Sequence, residues 1–76
     1  MKLSERITHK PTIMGGRACI RGMRVTVSMI LGLLSAGRST EDVLAAYPYL
    51  TREDILAALA YAAWRTDETE VPLSAE

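Results

Sequence analysis

Phenylalanine is absent from these 76 residues, and tryptophan, cysteine and histidine occur once each, as Trp64, Cys19 and His9. Without aromatic bulk the core must be built from Leu, Ile, Val, Met and Ala, as small helical domains commonly do. A lone cysteine excludes an internal disulfide, and one Cys with one His falls short of the three or four ligands a metal site needs. The same pair has only Glu5 as a nearby carboxylate, so a Cys/His nucleophile would lack its orienting third group. Cys19, between Ala18 and Ile20, is expected to be a buried small hydrophobe. The chain is not expected to be an enzyme, nor to use a cofactor. Long apolar runs are missing too. The stretch from Val25 to Ala36 is interrupted by Thr26, Ser28, Gly32 and Ser35 and falls far below the roughly 20 residues of a membrane span. Nothing in Met1-Lys2-Leu3-Ser4-Glu5-Arg6 resembles a signal peptide, so the expected location is cytoplasmic, away from any membrane.

A net charge of zero conceals a division along the chain. Through Arg38 there are seven basic residues against Glu5 alone, and from Ser39 onward two basic residues against eight acids. The halves either attract each other, within a monomer or across a dimer, or serve separate partners. A chain this short buries only about 60% of its unfolded surface, which leaves a marginal core and favours a partner. A homodimer is expected, paired through the β segment or the first helix of the body.

Residues 6–27 carry strand-and-turn chemistry. Short strands are expected near Ile13, at Ala18–Ile20 and at Met23–Val27, with turns at Gly15-Gly16 and Gly22. Ser28 is placed to cap a helix over Met29–Ala36 that is apolar nearly all round and stopped by Gly37. Such a helix must be buried on most sides, and Gly32 would admit another backbone. Ser39 with Asp42 forms a capping box for a second helix that ends at Pro48, with Val43, Leu44 and Tyr47 on one face. Thr51 with Asp54 repeats the box for a third helix running to about Thr66, whose inner stripe is expected at Ile55, Leu59 and Ala62, flanked by Leu56 and Ala63. The fold class is therefore mainly α: a short N-terminal β-hairpin and a three-helix, helix-turn-helix body over residues 1–66, followed by a flexible acidic tail at 67–76.

In a helix-turn-helix the last helix enters the major groove. Here its first turn offers Arg52 beside Glu53 and Asp54, whose carboxylates repel phosphate. The candidate nucleic-acid contacts are therefore Arg17, Arg21 and Arg24 of the basic half, with Arg52 in a lesser part. A phosphate loop at Gly15-Gly16-Arg17 is excluded because no Lys-Ser/Thr follows.

The segments "GGRACIRGMRVTV" (15–27) and "GRSTEDVLAAYPYLTREDILAALAYA" (37–62) resemble the domain-of-unknown-function family 433 (DUF 433), small prokaryotic proteins often classed as antitoxins. The likeness lies in paired glycines before an Ile-Arg-Gly-x-Arg core, then a Tyr-Pro pair and Leu-Thr-x-Glu-Asp in register. The chain departs from the family at Arg17-Ala18, where Lys-Pro is common, and at Met23, where Thr is common. The resemblance implies a homeodomain-like fold and partnership with a PIN-like ribonuclease toxin, with operator DNA as a further partner. The alternative is a stand-alone DNA-binding regulator. In the antitoxin reading Trp64 anchors in the nuclease while Asp67, Glu68 and Glu70 lie across its basic groove. The competing role for Trp64 is packing on the chain's own helices.

Overall fold

The first described element is a single helical turn, α1 (Leu3–Arg6), which passes directly into a two-residue strand, β1 (Ile7–Thr8). In the computed structural model, which describes residues 3–69 and the side chains of 5–67, β1 pairs antiparallel with β2 (Cys19–Ile20), setting Ile7 opposite Ile20 and Thr8 opposite Cys19. Three longer helices follow: α2 (Val27–Ser35), α3 (Thr40–Ala46) and α4 (Arg52–Thr69). The molecule is mainly helical with a short antiparallel strand pair, as expected from the sequence.

The strands are not all where the pattern put them. Ile13 lies outside any strand because Met14, Gly15 and Gly16 all take positive φ (50°, 66° and 82°), curling the backbone into a 3-10 turn that cannot extend into a ladder. Its place is taken by Ile7–Thr8, earlier in the chain. The expected strand at Met23–Val27 is reduced to a bridge between Cys19 and Thr26, flanked by amide bonds from Ile20 to Val25 and from Val27 to Ala18, both 2.9 Å. Arg21 and Gly22 turn the chain between them at φ 46° and 73°, and the Met23 amide closes the turn on the Ile20 carbonyl at 2.8 Å. Such paired positive values match the right-handed twist of the flanking strands.

Thr26, not Ser28, caps α2. It is still extended (φ −86°, ψ 153°) and its hydroxyl accepts from the Met29 amide at 3.0 Å, while Val27 is already helical. At the other end Gly37, at φ 94°, lets the Arg38 amide reach the Leu33 carbonyl and its own amide reach Leu34, which satisfies the last carbonyls of the helix. This apolar helix is less enclosed than expected. Only Val27 and Ile30 are buried, Met29 is exposed, and a Cβ at Gly32 would meet nothing within 4 Å. Both expected capping boxes form. Asp42 and Ser39 exchange bonds of 3.0 and 3.1 Å, and Asp54 and Thr51 exchange bonds of 3.2 and 3.0 Å.

Ile20, Ile30, Val43 and Ile55 form the fully buried centre, and α4 packs against α1, β1, α2 and α3. The inner stripe of α4 differs from the expected one. Asp54, Ile55, Ala57 and Ala58 face inward, whereas Leu56 and Leu59 remain 49% and 44% exposed. The reason is polar: Asp54 is pinned inside, which carries positions three and four residues on, the two alanines, into the core. The helix also continues to Thr69, beyond the expected end near Thr66.

Candidate functional site

The hub of the fold is the carboxylate of Asp54, which is 0% exposed. Its capping role fixes it at the start of α4, and two arginines converge on it from the N-terminal segment. The Arg21 amide donates to the Arg6 carbonyl at 2.8 Å, holding the two residues side by side. Arg21 then forks onto the carboxylate through Nε (3.1 Å to Oδ1) and Nη2 (2.8 Å to Oδ2), and Nη2 also reaches the Tyr49 carbonyl at 3.1 Å. Arg6 Nη1 adds a bond of 2.7 Å to Oδ1. Burial by itself would push the Asp54 carboxyl up, but bonds from Arg21, the Thr51 backbone and Arg6 outweigh it and hold the group below the ordinary aspartate range. The Arg21 guanidinium is raised in turn, chiefly by its bond to Asp54. Among the described residues no buried side-chain nitrogen or oxygen lacks a partner. The hub is therefore a closed structural lock, which the sequence had offered only as a capping box. The signal that could have found it is an acid at a capping position opposite two arginines flanking strand residues.

The four sequence-derived nucleic-acid candidates do not come together as one surface. Arg21 is engaged by Asp54. Arg52 pairs at 2.7 Å with Glu41, which the same contact holds below the usual carboxylate range. Arg17 lines a groove of ≈ 840 Å³ between α2 and the C-terminal half of α4, with Leu31, Gly32, Tyr61 and Arg65. Arg24 instead borders a separate shallow depression with Ile13, Met23 and Tyr49. The helix-turn-helix order of α3 and α4 is present, but the exposed start of α4 carries Glu53, Leu56 and an Arg52 already paired with Glu41, a surface with no excess of positive charge.

The partner candidates lie at the far end of α4. Trp64 is 53% exposed, and its ring stands 6.0 Å from that of Tyr61, which lies 5.8 Å from His9 and is bonded to it at 3.1 Å between Oη and Nε2. The three rings make a continuous aromatic edge that the sequence did not reveal, because His9 is brought to the helix by the end of β1. Asp67 is exposed one turn on. The side chain of Glu68 and all of Glu70 lie outside the described residues, as do residues 71–76 of the expected acidic tail.

A short strand pair locked by a buried carboxylate onto three helices, the last two in helix-turn-helix order, defines the class: a small helical scaffold with exposed aromatic and apolar surface. The family model "Protein of unknown function (DUF433)" matches residues 7–62, and the chain belongs to that family. It is 41% identical over 58 residues to the uncharacterized protein y4eO of Sinorhizobium fredii (strain NBRC 101917 / NGR234), a match covering 76% of this chain and 26% of that protein. A crystal structure of a DUF433 member from Anabaena variabilis ATCC 29413 superposes with a TM-score of 0.78 at 33% identity, covering 87% of this chain and 65% of the other. The chain thus spans about a quarter of the curated relative and just under two thirds of the solved one. No helix among the described residues is long and apolar enough to cross a membrane.

Proposed function

We propose that this protein is a non-enzymatic, protein-binding module of the antitoxin kind, which neutralises a PIN-like ribonuclease by inserting the aromatic edge of α4 into it. The observation that carries the reading is Trp64, half exposed in the C-terminal half of α4, with its ring tilted against Tyr61, which in turn contacts His9. Exposed tryptophan is costly to leave in water and is enriched among the residues that dominate protein interfaces. Asp67 beside it supplies the sign of charge that suits a groove built for RNA.

A second reading, a DNA-binding regulator, is supported by Arg17 and Arg24, both exposed. It is weakened at Arg21 and Arg52, which are already paired with acids. Co-expression with any PIN-like ribonuclease found encoded beside the gene, followed by titration of the purified pair, separates the two. The antitoxin reading expects growth rescue, a stable complex and a Kd raised about 30-fold or more by Trp64→Ala. An unchanged Kd for that variant, or no complex, overturns it. Promoter binding whose salt dependence is flattened by about one unit in Arg17→Ala or Arg24→Ala would favour the second reading.

A further inference from the structure

We propose that the outer face of α4 docks a second copy of this chain, as an antiparallel helix pair about a two-fold axis passing between Leu59 and Ala60. Arg52, Leu56, Leu59, Ala60, Ala63 and Asp67 are all exposed and recur at intervals of three and four residues, so they share one face of the helix. The order of residue types along this face is complementary to its own reverse. With the axis at that point, Leu59 meets the partner's Ala60, Leu56 meets the partner's Ala63, and Arg52 meets the partner's Asp67. Each leucine then fills the space over an alanine, which is how two helices approach closely without leaving voids. Opposite charges close both ends of the contact. Sliding the copy by one turn sets Arg52 against the partner's Ala63 and leaves Asp67 unopposed, so the charges select one register.

Arg52 keeps its bond to Glu41 in this arrangement, because a guanidinium has five N–H donors and the pair with Glu41 is solvent-exposed. The contact is isologous, so each interaction occurs twice, as closed two-fold symmetry requires. Trp64, four residues beyond Ala60, borders the stripe, whereas Tyr61 and His9 lie off it, and the pairing of Leu56, Leu59, Arg52 and Asp67 uses none of the three rings, so the proposal does not rest on the functional reading above.

Sedimentation equilibrium of the full chain, from low micromolar to near-millimolar concentration, tests it. A reversible monomer–dimer equilibrium is expected. Arg52→Glu and Asp67→Arg should each weaken it about tenfold, because each places two like-charge pairs in the symmetric contact. The double variant should recover most of the lost affinity. Repulsion between Glu41 and the new glutamate is common to Arg52→Glu and the double variant, so the recovery isolates the contact between the two copies. A cross-link supplies geometry: separately purified Leu56→Cys and Ala63→Cys chains, when mixed, should form a disulfide-linked heterodimer in preference to either homodimer. A strictly monomeric chain, a double variant no better than the singles, or cross-linking that favours the homodimers would each overturn the proposal.

Discussion

The two faces of α4 have nearly the same apolar character and opposite fates. Its inner face presents Asp54, Ile55, Ala57 and Ala58, all buried, and its outer face presents Leu56, Leu59, Ala60 and Ala63, all exposed. Hydrophobicity alone would not have chosen this orientation, since the outer face holds two leucines and the inner face holds a carboxylate and two alanines beside Ile55. What decides the orientation is the charged lock. Asp54 accepts from Arg6, Arg21 and the Thr51 amide, and a carboxylate with those partners belongs inside. The small inner residues let the helix press close to the body, and the larger ones are left for something else.

The sharpest way to break this comparison is to remove the lock. Asp54→Ala strands two arginine head groups and opens the capping box. Breaking a buried ion pair by deleting one partner costs about 3–5 kcal/mol. A domain of this size has only roughly 4–11 kcal/mol of stability in total. Urea denaturation followed by circular dichroism should therefore find the variant largely unfolded or close to it. Asp54→Asn should fall between it and the parent, because the amide oxygen can still cap. A loss below about 1 kcal/mol for Asp54→Ala would mean that apolar packing, not the lock, orients α4.

Acid sharpens the same contrast with a smaller effect. The folded Asp54 carboxyl sits below its ordinary value of 3.8, so the unfolded chain takes up the proton first as the pH falls. The stability contributed by the ionised group is fully present above that ordinary value. It is lost as the pH drops from there through the depressed folded value. Glu41 is shifted the same way by Arg52 but is exposed, and water screens its pair. Unfolding free energies measured from neutral to strongly acid pH should fall in that window for the parent, and the fall should be markedly shallower in Asp54→Asn. Equal slopes for both proteins would show that other carboxylates carry the acid sensitivity.

Much of the scaffold was legible in the sequence because its signals are local. The Ser39/Asp42 and Thr51/Asp54 boxes, the Gly37 stop and Pro48 each act within a few residues, and all form as the pattern implies. Long-range pairing was not legible. Nothing near Ile7 announces that it will pair with Ile20, or that His9 will meet Tyr61. Nor does the charge pattern show that Arg21, in a uniformly basic stretch, will turn inward at φ 46° to meet an acid 33 residues later. The left-handed backbone there costs roughly 1–2 kcal/mol for a residue with a side chain, which the fork onto Asp54 offsets. The candidate site divides in the same way: Trp64 was visible as a residue type, whereas its aromatic neighbours depend on tertiary contact.

The smallest expected effect concerns the outer face itself. Leu56→Gln and Leu59→Gln, together, remove two leucines that a self-sufficient core would need, and at a truly buried pair the cost would be several kcal/mol, as it should be for Ile55→Ala at about 2–5 kcal/mol. Because both leucines are roughly half in water, the double variant should stay within about 0.5 kcal/mol of the parent when unfolding is measured at high dilution. Concentration adds the decisive dimension. A copy bound to the outer face stabilises only the folded chain, so the parent should gain stability as protein concentration rises, by mass action, while the glutamine variant should not. Parallel curves for the two proteins at every concentration would leave the outer face without self-association. A large gap already present at high dilution would place the leucines in the core after all, and would overturn the division between the two faces of the helix.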